Sequence, residues 1–343
     1  MSNLLELGLD TFGDITEGPD GKLLHEAEVL RNLIAQGVLA DEVGIDFLGV
    51  GEHHRADFAV SSPEIVLSNI AAKTSRLRLG TAVTVLSSDD PIRVFQRFST
   101  LNALSDGRAE IILGRGSFTE SFPLFGYDLN LYEELFEQKL DLLSTLIRDE
   151  VVTWEGQLRP PLKKQRVFPR LDKELVTWIG VGGSPDSVVR SATYDMRMML
   201  AIIGGDPARF KPLVDLYHRA CDQLEHKVKP LGVHSPGHVA ETDEEALEQL
   251  WPHFKAFHDQ LGRERGWAQM GKDAFLNEAR HGSLYAGSPE TVAKRIVSTV
   301  KTLGLSRFDL KYATGPMPHG TLMKSIELYG TSVIPLVRDM MNS

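Results

Sequence analysis

Two hydrophobic rhythms alternate along the chain. Short apolar runs bounded by turn residues recur at 5–12 (LELGLDTF), 46–53 (DFLGVGEH), 77–83 (LRLGTAV) and 109–116 (AEIILGRG). They return at 174–181 (ELVTWIGV), 196–202 (MRMMLAI), within 229–240 (KPLGVHSPGHVA) and at 308–312 (FDLKY). Each reads as a strand. Between them lie longer stretches with apolar residues three or four apart, such as Leu23, Ala27, Leu30, Ile34 and Val38 over 22–44. That spacing is one face of an amphipathic helix. Further helices are predicted after Ser62-Pro63-Glu64, from Pro91, over 134–149, from Pro185, over about 207–228, from Thr242 and over 318–340. Eight strand–helix units in succession predict an α/β fold, a closed (β/α)8 barrel spanning 1–343 as one domain. Two stretches exceed the minimal barrel: 150–173 after the fourth helix, and 263–288 after the seventh. Long excursions of this kind are often lids.

In such a barrel the chemistry collects at the C-terminal ends of the strands. The polar residues there are Asp10 and Thr11, the run Glu52-His53-His54-Arg55, then Thr84, Arg115, Ser184, and His234 with His238 around the seventh strand. Successive strand side chains point to opposite faces, so only one of His53 and His54 is expected to face inward. Each residue also has a plainer reading, as a histidine bonded to a neighbouring loop or a salt-bridged turn. A metal site is poorly matched. The first strand ends Asp10-Thr11-Phe12 with no His-x-His pair, there is no H-E-x-x-H, and adjacent histidines diverge. An anion site is matched better: Gly182, Gly183 and Ser184 follow a strand and open a helix, where N–H groups point outward, and Arg115 could add a cation. The same turn is also an ordinary helix cap. Ala286-Gly287-Ser288-Pro289-Glu290 is read as a cap alone, because no comparable strand precedes it. Neither a P-loop nor a complete G-x-G-x-x-G is present.

Composition narrows the partners. The net charge of −10 argues against nucleic acid or an anionic membrane as the main partner. The single Cys221 excludes an intramolecular disulfide and a cysteine-built zinc site, and is expected to pack as a small hydrophobe. The N-terminal residues show no basic region followed by an apolar run, and no stretch approaches the ~18 apolar residues of a membrane span. A cytoplasmic protein is the expectation.

Three blocks together resemble the bacterial luciferase-like flavin monooxygenases: GVGEHH after strand two, LRLGTAVTVLSSDDPIRVFQRFSTLNALSDGRAEIILGRGS through strands three and four, and IGVGGSPDSVVRSA after strand five. The resemblance extends to the closing SIELYGTSVIPLV. It implies a flavin at the C-terminal rim, its phosphate at Gly182, Gly183, Ser184 and Ser187 with Arg115 nearby. It also implies that Thr81, Ala82 and Val83 lie under the flavin ring, with a cis peptide between Ala82 and Val83. His53 takes the place of the histidine that serves the family's flavin–oxygen chemistry. One departure stands out: the luciferases carry a reactive cysteine just before the strand-four arginine, where this chain has Gly114. The resemblance therefore implies a monooxygenase other than a luciferase. It would be the oxygenase half of a two-component system, fed reduced FMN by a separate flavin reductase and acting on a small organic substrate. A homodimer formed through helices two and three is the family expectation. Two alternatives are hydride transfer with the deazaflavin F420 and a flavin-binding protein without catalysis. Phe12, Phe58, Phe118, Phe122 and Phe125 are candidates to line an apolar pocket or to be core.

Overall fold

A computed structural model describes residues 5–343. Eight parallel strands form the barrel: β1 (Glu6–Thr11), β2 (Phe47–Val50), β3 (Arg78–Thr81), β4 (Glu110–Gly114), β5 (Val176–Val181), β6 (Arg197–Ala201), β7 (Leu231–Val239) and β8 (Arg307–Lys311). Hydrogen bonding runs in the order β3-β2-β1-β8-β7-β6-β5-β4. Ring closure between β3 and β4 is a single bridge, Leu79 to Ala109, rather than a full ladder. Above it the Thr81 hydroxyl takes over, bonding both the N–H and the carbonyl of Ile112 at 3.1 Å. The chain then turns, and Thr84–Val85 resumes pairing with Leu113 and Gly114.

The helices that alternate with these strands begin where side chains satisfy their free N–H groups. In α1 (Glu26–Glu42) the His25 ring accepts from Ala27 N–H. In α3 (Pro91–Leu104), which follows α2 (Pro63–Ala71), Asp90 accepts from Ile92 and Arg93 and Pro91 supplies the first turn. The outer helices bury their apolar stripe on the strands, as Leu135, Phe136, Leu140, Leu142, Leu143 and Leu146 of α4 (Tyr132–Arg148) do. The last predicted helix is broken in two by a wide turn at Tyr329–Val333. There Gly330 lies so close to Val43 that a Cβ would overlap it.

Inside the barrel, large and small residues interlock. Glycines at 80 and 232 leave room for Phe47 and Met199, which with Trp178, Ile112 and Val176 fill the middle. Beneath them the floor is ionic. Glu110 and Arg307 are both fully buried and paired at 2.7 Å, with Arg78, Glu6 and the Trp178 indole N–H completing the network. Arg307 also lies over the rings of Phe47 and Trp178, at 4.3 and 4.6 Å.

The two excursions go different ways. Residues 150–173 form a hairpin, Val152–Trp154 against Leu162–Gln165, lying on the outside of α3 and α4. Arg159 reaches upward, to Asp90. It is a brace rather than a cover. The helix after β7, Asp243–Arg265, is longer than its strand requires, and a second helix, Lys272–His281, follows it. A short strand, Tyr285–Gly287, does precede the Ser288 cap, contrary to the sequence-based expectation; it pairs with the end of β7. Ser288 nevertheless caps, accepting from Thr291 N–H.

Candidate active site

The rim above β3, β4 and β5 is built around Val83. The Ala82–Val83 peptide bond is cis. The Val83 side chain leans over Gly114 and Gly180; a Cβ on residue 114 would overlap Val83 Cγ2, and one on residue 180 would sit 3.2 Å from Cγ1. Gly114, where the luciferases have cysteine, is therefore the space Val83 uses. Thr81 is not at the rim. It is fully buried and its hydroxyl is engaged with Ile112 and Thr84, so it supports the turn from below.

Beside Val83 lies the anion cradle. Nothing lies within 4 Å of where a Cβ would stand on Gly182 or Gly183, and Gly183 has φ +123°, a conformation open to glycine. The following helix, Pro185–Thr193, starts at Ser184 with no side-chain cap, so its first N–H groups are available. Two arginines converge on Ser187 Oγ: Arg115 Nη2 at 3.3 Å and Arg190 Nη1 at 3.2 Å. Arg190 escaped the sequence reading, although it shares a helix face with Ser187 three residues earlier. Glu133 and Glu137 neutralise the pair, Glu133 touching both arginines. Glu133 is more than half exposed, so its side of the ion pair faces solvent. The open glycines, uncapped helix and two arginines fit the phosphate of a flavin nucleotide.

Facing this cradle across the mouth is His53. Its ring sits among Phe12, Phe58 and Phe118 at 4.6, 4.7 and 4.8 Å between centroids. Nδ1 lies 3.7 Å from Glu120 Oε1. Burial pushes the Glu120 carboxyl up, but the His53 imidazole and the N–H of His54 outweigh it and leave Glu120 below the usual range. His54 points the other way, toward Glu52 and Phe125, and burial lowers its basicity. Glu52 is pushed up to about 7, chiefly by burial, while its carboxylate accepts from Val85 N–H just beyond the cis bond. Of the five phenylalanines singled out from sequence, Phe12, Phe58 and Phe118 enclose His53. Phe122 is buried against Tyr132, and Phe125 is half exposed. Asp10 and His234 meet at 2.6 Å, whereas His238 faces outward to Gln249.

The long helix after β7 crosses this mouth. Its Phe257 meets Phe58, Gln260 bonds Asp57, and Glu264 holds Arg55 through two hydrogen bonds of 2.6 and 2.8 Å. Arg265 reaches Ser117 and lies over the Phe118 ring. The excursion 263–288 singled out from sequence takes in Glu264 and Arg265, whereas nothing in the sequence pointed to Phe257 and Gln260, about 200 residues from Phe58 and Asp57.

The parallel barrel thus brings an anion cradle and a histidine to one mouth. The chain belongs to the luciferase-like monooxygenase family, whose pattern it matches over residues 12–307. The alkanal monooxygenase alpha chain of Photorhabdus luminescens is 24% identical over 232 residues, covering 65% of this chain and 61% of that one. Among solved structures, the FMN-bound oxygenating component of 3,6-diketocamphane monooxygenase from a Pseudomonas putida plasmid superposes with a TM-score of 0.76. It is 17% identical, with 97% of this chain and 98% of that chain covered. An F420-dependent secondary alcohol dehydrogenase superposes at 0.75, also 17% identical, over 98% of this chain and all of that one. Among the described residues no helix is long and apolar enough to cross a membrane.

Proposed function

We propose that this protein is an FMN-dependent monooxygenase, the oxygenase component of a two-component system that receives reduced FMN from a separate reductase. The observation that carries the reading is the cradle at Gly182–Ser187 with Arg115 and Arg190, set at the same mouth as His53. Bound reduced flavin supplies the electrons that activate oxygen, one atom passing to a small organic substrate and the other to water. The chain's own part is to hold the phosphate with Arg115 and Arg190, and to support the ring region on Ala82 and Val83. Phe12, Phe58, Phe118 and Phe257 keep water away, and His53 supplies or takes a proton, with Glu120 beside its Nδ1 orienting the ring. Hydride transfer with F420 is the alternative reading, and the titration below separates the two.

The test is an anaerobic titration with reduced FMN and with reduced F420, followed by admission of air. Preferential binding of reduced FMN, with oxygen consumption and little hydrogen peroxide released once the substrate is present, is the expected result. Preference for F420 without oxygen consumption overturns the reading in favour of hydride transfer.

A further inference from the structure

Across the mouth from His53, a second imidazole faces the site. His234 on β7 is in register with Asp309 on β8, and Asp309 with Gly8 on β1. From there the ring reaches over β8 to β1, where its Nδ1 lies 2.6 Å from Asp10 Oδ2. Asp10 is only 1% exposed. An ionised Asp10 only accepts, so the contact places a proton on Nδ1, and in the neutral imidazole the lone pair then lies on Nε2. Among the described residues nothing bonds Nε2, and the side chain keeps 13% of its surface exposed. The Phe12 ring stands between the two histidines, 4.6 Å from His53 and 6.4 Å from His234.

Below the pair the arrangement continues. Asp10 Oδ1 and Asp309 Oδ1 are both buried without a hydrogen-bond partner. Burial, with Asp10 adding to it, raises the Asp309 carboxyl well above the usual range although Arg307 opposes the shift. Two carboxyl groups and an imidazole cost far more to bury than apolar side chains would. Packing does not account for them.

We infer that His234, oriented by Asp10, is a second proton-transferring residue of this site. Its Nε2 takes one proton from an acidic C–H or O–H of the bound organic molecule and later returns it; no electrons leave the chain. The inference rests on the proposed function only for the reaction being served. The charged and titratable groups around His234 are Asp10 on β1, Asp309 on β8, and Lys311 on β8, whose ammonium turns to Asp14. His53 stands behind Phe12, and β6 brings only Ala201.

The test uses the full chain labelled with 15N-histidine, with the His234 signal assigned through His234→Gln. Expected is an Nδ1–H tautomer with Nε2 free at pH 7–8, converting to a mixture in Asp10→Asn. With reduced FMN and oxygen, both variants should bind FMN within about threefold of wild type. With a phenol or a 1,3-diketone added as the probe, oxygenated product should form about 10²-fold more slowly in both variants, and both should lose the same limb of the pH profile. An Nε2–H tautomer in the wild type, or variant profiles that superpose on the wild type, overturns the inference. Failure of the wild type to bind FMN overturns the proposed function instead, and the tautomer alone then decides the dyad.

Discussion

Glu52 shows how one residue at a strand end carries both cost and opportunity. Its folded pKa of about 7 lies above the ordinary 4.5 because the carboxyl is buried near Asp89 and Glu64. The folded state therefore binds more protons than the unfolded state between about pH 4.5 and 7, and stability falls as pH rises through that window. The shift corresponds to about 3 kcal/mol. Glu52→Gln keeps an acceptor for Val85 N–H and removes the charge. Thermal unfolding from pH 5 to 8 should show the variant flatter with pH and more stable than wild type at pH 8; parallel curves would contradict the assignment. Gly114 gives a second prediction at this scale. Gly114→Ala drives a Cβ into Val83 and should cost about 1–3 kcal/mol by overpacking, and Val83→Ala should restore most of it in the double variant, as denaturant unfolding would show.

Among the elements, the helix Asp243–Arg265 crosses the mouth. It is tied down at its far end by Arg55–Glu264 and Gln260–Asp57, both polar contacts near solvent, while Phe257 supplies the apolar grip on Phe58. Such contacts hold a cover weakly enough to open. Glu264→Ala should raise amide exchange several-fold in residues 257–265 and speed flavin release, leaving exchange in β4 and β5 unchanged. Uniform exchange in both regions would mean the helix is not a separately opening cover. The hairpin at 150–173 should be insensitive to the same substitution, because it braces α3 and α4 rather than the mouth.

At the scale of the whole molecule, the closed barrel stands on its ionic floor. Burial alone would raise Glu110, yet Arg307, Arg78 and the Trp178 N–H hold it at about 2, below the ordinary 4.5. Its contribution is present above about pH 4.5 and is lost as pH falls from there toward 2. Glu110→Ala strands Arg307, itself fully buried, and should cost about 3–5 kcal/mol. Chemical denaturation at pH 7 measures this, and a loss below about 1 kcal/mol would show that Glu6 alone suffices for Arg307.

The sequence by itself determined the eight strand–helix units. Periodicity, caps and turns are local, and a parallel barrel is what repeated βα units form when every strand must be buried. It also located the strand-end residues His53, Arg115 and Gly182–Ser187, since barrel topology sends strand ends to one rim. What only the tertiary structure decided is which of them meet. His53 rather than His54 enters the aromatic enclosure; Thr81 sinks beneath the rim; Arg190 joins Arg115 on Ser187; and Glu264 comes back to Arg55. Asp10 and His234, more than two hundred residues apart, become a hydrogen-bonded pair because ring closure sets β1 and β7 on either side of β8. Local propensity acts over a few residues, whereas barrel closure joins the two ends of the chain.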